Sequence, residues 1–480
     1  MNNDLSSYFE DPEFKDLLAK YEGMVENHTP TYFDAEELTD IAEYYASIGK
    51  EQDAEAVIDF GLHLHPTNTD ILVFKSRSLC IKGRLNEAYK VMNLIEDPTD
   101  REVRFLKADL LVEEKRMEEA DAIYKELAES EEESLEVLLD IFLNYMDVHQ
   151  KEYAKKWLDK IRQKGFNENN SQKFRDAWCD YCMTFGYPEK AVKAFQISLD
   201  ELPYSINHWN GLAKCYLAQM NTEQALEAVD FSLAIEEDNL EAKEIKAYCF
   251  TQNGNQEEAI TLCKQVLPIT KNPTHIYALL VKCYLDLEKA QPAKETCREW
   301  LNQCPNMTAF EKSEVYSYIA LCCFNLYESL EGMKYIDAAL DLEPAFRGAI
   351  LQKGMLHLQL QENNEAEKMF QKVIDISPDD ELSEIYYNIA NSYFFLMMFR
   401  PTIEWCDKII QSYPNEQMEA LHLKACCQYY LNEIDECMKT LTTVWKLNHN
   451  HLDEEYLNDN RFKPMFSDII DLLRKRKQTE

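Results

Sequence analysis

An all-α solenoid of tandem antiparallel helix pairs is the fold class that this chain predicts, and three periodic features predict it. Alanines recur at Ala54, Ala88, Ala120, Ala154, Ala191, Ala225, Ala259, Ala293 and Ala366, mostly 34 residues apart, with Gly332, Thr402 and Cys437 completing the series. Twelve residues beyond that anchor stand Pro66, Pro203, Pro305, Pro344, Pro378 and Pro414, where a helix must stop because proline cannot continue it. Five residues before it stand Gly49, Gly83, Gly186 and Gly254, where a tight turn between two helices needs positive φ. A helix pair of this length cannot bury its own apolar face, so each must stack on its neighbours.

The elements follow in order. Asp11 is placed to cap a helix with Pro12 at its first position, and Phe14, Leu17, Leu18, Tyr21 and Val25 form one apolar stripe, so residues 1–34 read as a capping segment. Twelve pairs are then expected, starting near residues 35, 69, 101, 135, 172, 206, 240, 274, 313, 347, 383 and 418, with small insertions before those at 172 and 313. In the first helix of each, a small or apolar pair precedes a bulky residue at helical spacing, as in Leu212, Ala213 and Tyr216 or Ile389, Ala390 and Tyr393. Residues 452–480 read as a second lid, with Phe466, Ile469, Ile470 and Leu473 on one face and the basic Arg474-Lys475-Arg476-Lys477 suiting the dipole of a last turn.

Trp209-Asn210-Gly211-Leu212-Ala213-Lys214-Cys215-Tyr216, followed by Ala225 and Val229, resembles the tetratricopeptide repeat, as do Ile350, Lys353, Gly354, Ala366, Phe370 and Pro378. The resemblance runs from residue 35 to residue 451, roughly nine tenths of the chain. It implies a right-handed superhelix forming one elongated domain, with the first helices of successive repeats lining a concave face.

Composition bounds the partners. With 87 acidic against 50 basic residues and a formal charge of -37, the chain repels nucleic acid and anionic lipid. The sequence shows no stretch suited to a bilayer and no signal-peptide pattern at Met1–Ser6, so a cytoplasmic location is expected, and the charge favours a monomer. Fifteen cysteines raise a metal or redox reading, but Cys215, Cys249, Cys283, Cys322 and Cys427 share one register position in the first helix, and Cys263, Cys297 and Cys406 another in the second, where they act as small hydrophobes. Cys179 and Cys182 form a C-x-x-C without a second pair at zinc-ribbon spacing; a redox role there requires an acidic thiol. His63 and His65, like His449 and His451, sit at repeat junctions. No phosphate loop and no hydrolase or metalloprotease motif is present, so neither enzyme nor cofactor is expected.

What remains is binding of a protein or peptide. The resemblance implies that positions 2, 5, 9 and 12 of each repeat line the groove. In the first four they include Glu36, Glu43, Asp70, Glu102, Asp109 and Glu136, with Phe105 as the one aromatic, so this end is expected to be negative. In the last four they include Leu321, Phe324, Leu351, Met355, Leu358, Tyr387, Asn391, Phe394 and Tyr429, with acids at Glu314, Glu384 and Glu419, so this end is expected to be apolar and to hold the partner. The lysine, asparagine and arginine clamp by which some relatives hold acidic chaperone tails is matched only by Asn210 with Lys214; Tyr387, Asn391, His422 and Cys426 occupy its places in the last two repeats. The expected partner is therefore apolar or partly basic, and the expected role is that of a scaffold or adaptor. A regulator that changes conformation when a peptide enters the groove is the alternative from another class.

Overall fold

The computed structural model describes residues 8–9, 11–130, 134–271 and 273–447. Among them lie an N-terminal helix, Pro12–Asn27, and twelve helix pairs whose first helices begin at Ala35, Thr69, Arg101, Leu135, Gln172, Ile206, Leu240, Thr274, Ala309, Arg347, Leu382 and Met418. No strand occurs among the described residues, and the chain is an all-α solenoid. The ninth pair starts four residues ahead of expectation. Thr308 accepts from the backbone N–H of Glu311, whose carboxylate accepts from the Thr308 N–H, and this capping box adds a turn. The C-terminal lid, including Phe466, Ile469, Ile470 and Leu473, lies outside the described residues, as do His449 and His451.

Local chemistry explains the boundaries. First helices open on side-chain caps such as Asn68, Asp100, Ser134, Ser171 and Asn239. Second helices end at Leu64, Glu201, Gln303, Leu342, Ile376 and Ser412, each two residues before one of the periodic prolines. The alanine series is buried, from Ala54 at 3% exposure to Ala88, Ala120 and Ala366 at zero. The anchor is small because the second helix lies close against its partner there. At Gly332 an added Cβ would stand 3.0 Å from Leu356 Cδ2 and 3.2 Å from Cys323 Cβ.

One turn joins the two helices of every pair. Its central residue has positive φ in all twelve: Gly49, Gly83, Lys115, His149, Gly186, Met220, Gly254, Glu288, Tyr327, Gln361, Met397 and Asn432. The next residue donates its N–H to a carbonyl five residues back, as Lys50 to Tyr45 (2.8 Å) and Met398 to Tyr393 (2.9 Å), which is the Schellman closure. Eight of these turns therefore hold a side chain in a conformation that favours glycine. Tyr327 and Met397 are 80% and 77% exposed, so their side chains contribute little packing. Tyr327→Gly and Met397→Gly are each expected to stabilise the fold by about 0.5–1 kcal/mol, the relief of left-handed strain less the added entropy of the unfolded chain, read as a higher denaturation midpoint.

Packing divides the chain into two compact units, Met1–Ala228 and Val229–Glu480. In each, the core is a series of local clusters. In the first, Phe14 and Tyr21 of the N-terminal helix close onto Leu38, Ile41, Val57 and Ile58, while Val25 is half exposed. In the second, Trp300 stacks on Tyr277 at 6.0 Å and packs with Val315 and Ile319 of the following pair.

Candidate protein-binding faces

In the first compact unit the face carrying the expected acidic residues also carries Arg77 and Arg101, the latter 3.6 Å from Glu102. Arg77 of the second pair reaches Glu102 (3.3 Å) and Asp109 (3.6 Å) of the third. Asp109 also accepts from the Tyr124 hydroxyl (2.7 Å) and the Asn144 amide (2.8 Å), and desolvation raises its pKa even so. Glu43 is raised by desolvation and then by Asp40, with Arg77 opposing. Desolvation likewise raises Asp140 and Asp180, the latter helped by Asp176. Asp40 and Asp140 were missed because they fall one place off the groove register, and Arg77 because it occupies a groove position with the opposite charge. Glu36 and Glu136 are solvated. Phe105 is a correction: it is 6% exposed, packed on Tyr124 and under the Arg101 guanidinium, and is core.

These raised carboxylates fix a pH dependence. A folded-state pKa above the unfolded value means that the native state binds the proton more tightly, so each group destabilises the fold at neutral pH, and this penalty shrinks as pH falls through the folded pKa and is gone below the unfolded one. Asp140→Asn is thus expected to raise the urea midpoint at pH 7 and to change it less at pH 4.

In the second compact unit the expected residues separate into two groups. Phe324 and Leu358 are 7% and 4% exposed: Phe324 packs with Ala320, Ile336 and Leu356, and Leu358 with Ala366, Phe370 and Ile389, so both belong to the core and are unavailable to a partner. Leu321, Leu351, Met355, Tyr387, Asn391, Phe394 and Tyr429 are partly exposed. Phe394 leans on Phe399 (6.0 Å) and Tyr430 (6.4 Å), and Tyr387 packs beside Ala390 and Cys406. His422 and Cys426, at clamp positions, are buried. Sequence reasoning missed the more exposed apolar residues, which cluster at the turns between paired helices: Tyr327, Leu330, Phe395, Met397, Tyr430 and Ile434.

The cysteines are all unbridged. Burial pushes the Cys179 thiol well up and the Cys182 thiol up to about 12, the opposite of what a thiolate nucleophile needs. Cys323, Glu328 and Glu331 bring three ligand atoms together, but the buried Lys294 ammonium sits against them, 2.5 Å from Glu328 and 3.0 Å from Glu331, and supplies the cation. His65 donates from Nε2 to the Phe33 carbonyl at 2.8 Å, a contact within the fold. No helix among the described residues is long and apolar enough to cross a membrane.

Two family models, both described as tetratricopeptide repeat, match residues 210–274 and 348–380. No curated protein matches the sequence. Similar solved structures include YrrB, described as a TPR protein with an unusual peptide-binding site (18% identity, 39% of this chain and 95% of that one, TM-score 0.32). PilF of Pseudomonas aeruginosa overlaps with 18% identity over 43% of this chain and 92% of that one, TM-score 0.37. A chain of the APC/C hetero-tetramer Cut9-Hcn1 overlaps with 11% identity over 88% and 98%, TM-score 0.38. The matched stretches coincide with the sixth and seventh helix pairs and with the tenth, whose spacing the other pairs share, and repeats of this kind are protein-interaction scaffolds. The chain carries tetratricopeptide repeats, matched at residues 210–274 and 348–380.

Proposed function

We propose that the chain is a non-enzymatic scaffold whose first-helix faces hold a segment of another protein, and that this segment carries cationic and apolar side chains. The observation that carries the reading is the excess of carboxylates, Glu43, Glu102, Asp109 and Asp140, over the two guanidinium groups of Arg77 and Arg101. A lysine or arginine entering among them would gain charge-assisted hydrogen bonds and relieve an existing penalty. The partly exposed Leu351, Met355, Tyr387 and Phe394 offer apolar contacts in the second compact unit. Large side chains of this kind contribute on the order of 2 kcal/mol each when a partner desolvates them. We propose further that this happens in the cytoplasm, with the chain as a monomer and without nucleic acid.

Affinity capture from native-cell lysate, with mass-spectrometric identification, tests this. Wild type is compared with Glu43→Gln/Asp140→Asn and with Met355→Ala/Tyr387→Ala, each first shown by circular dichroism to keep its helices. A partner retained by wild type and lost from both variants is expected. A partner lost from one variant alone assigns the site to that face, and partners retained equally by all three proteins sink the reading.

A further inference from the structure

Within a chain of formal charge -37, one surface of the first compact unit is basic. The second helix of the fourth pair, Lys151–Gln163, carries Lys151, Lys155, Lys156, Lys160 and Arg162 against Glu152 and Asp159. The corresponding helix of the fifth pair, Pro188–Glu201, adds Lys190 and Lys193 near its start, with Glu189 beside them. Lys156 is paired with Asp121 at 2.5 Å, and Arg162 with Asp159 and Glu168. Lys151, Lys155, Lys190 and Lys193 have no carboxylate within ion-pair distance among the described residues. Elsewhere a set of partly buried lysines is neutralised within the fold. Lys75, Lys246, Lys353 and Lys424, at one recurring register position, each meet an aspartate of the preceding second helix at 2.5–2.7 Å.

A tyrosine reports the local potential. Tyr187, at the turn into Pro188–Glu201, has Lys190 Nζ 4.3 Å and Lys151 Nζ 4.9 Å from its ring centroid. Its phenol is held below the usual value, first by the hydrogen bond from Lys151 and then by the charges of Lys151, Lys190 and Lys155. Both helices also open at this surface, and their N-terminal ends add positive potential.

We propose that this surface, centred on Tyr187, docks an acidic segment of a partner protein, with its carboxylates on Lys151, Lys155, Lys190 and Lys193. The site is distinct from the first-helix faces and does not depend on the reading given to them. A short acidic segment suits it better than nucleic acid. The patch is a few lysines wide, and at physiological salt the screening length is about 8 Å, so local contacts survive while the general negative field is damped. A continuous phosphate backbone would run beyond the patch onto acidic surface.

The test uses a fluorescein-labelled peptide of eight glutamates and fluorescence anisotropy at about 0.15 M salt, near the physiological screening length. Wild type and the control Lys368→Gln/Lys439→Gln are expected to bind the peptide saturably. Lys151→Gln/Lys190→Gln/Lys193→Gln is expected to lose at least about tenfold in affinity, about 1.4 kcal/mol. Lys155→Gln/Lys193→Gln, which removes two exposed and unpaired side chains, is expected to lose part of it, and this answers any objection that the triple variant misfolds. The proposal is overturned by the absence of saturable binding, or by equal affinity in the control and both patch variants. It is equally overturned if an eight-nucleotide oligouridylate competes as well as the peptide, or if the patch variants abolish self-association of the protein, which would assign the surface to a second copy.

Discussion

Trp157→Ala is expected to destabilise the third and fourth repeats and the neighbouring fifth by about 3–5 kcal/mol, the usual cost of truncating a large buried aromatic. Trp157 is 1% exposed and meets Tyr124 edge to face at 6.5 Å. Its indole N–H also donates to Asp121 at 3.2 Å, and Asp121 is itself 4% exposed and held by Lys125 and Lys156. Trp157→Phe separates the two contributions. It keeps most of the packing and loses the bond to the carboxylate, so about 1.5 kcal/mol is expected. Because repeat arrays lose structure locally, hydrogen exchange resolved along the sequence is the appropriate measurement. Protection should fall in residues 101–201 and persist in the tenth to twelfth repeats. A uniform loss along the whole chain would show that the core is one cooperative body and would defeat the argument from local clusters.

Gly354→Ala is expected to destabilise by about 2 kcal/mol, although alanine is the better helix former by about 1 kcal/mol. A Cβ at this position would stand 2.4 Å from Phe370 Cε1 and 2.8 Å from Cδ1, and Phe370, 1% exposed and packed on Tyr393, has no room to retreat. Gly211 stands in the same relation to Phe195, at 2.4 Å from Cζ. The decisive comparison is a double-mutant cycle. In a Phe370→Ala background the clash is gone, and Gly354→Ala should become stabilising by about the propensity difference of 1 kcal/mol. An equal loss in both backgrounds would show that the glycine is needed for a reason other than the ring.

Much of this architecture was legible because the residues that set it act locally. A proline stops a helix wherever it falls, and an alanine is demanded wherever two helices touch, so Ala54 to Ala366 and Pro66 to Pro414 located the pairs without knowledge of any contact. The left-handed turns were only partly legible. Glycine announces four of them, whereas Lys115, Met220, Tyr327 and Met397 occupy the same conformation with no sign in their own chemistry. The candidate faces were less legible again. Register gives the direction in which a side chain leaves its own helix, but Phe324 and Leu358 are covered by groups from other helices, and only packing reveals that. Desolvation is equally non-local: Glu36 and Asp109 are both acids of the same register set, and the structure leaves one exposed and partly buries the other.

The recurring turn has a further consequence. Its closure is made by main-chain N–H and carbonyl groups, so no particular side chain is required to hold the second helix at its angle. The twelve residues at its apex are thereby released from architectural duty, at the modest cost in backbone strain that eight of them carry. Lysine, histidine, glutamate, glutamine, methionine and tyrosine all appear there on one unchanged backbone. The same twelvefold motif that makes the scaffold uniform thus leaves a row of positions whose identity can vary while the frame beneath them stays fixed.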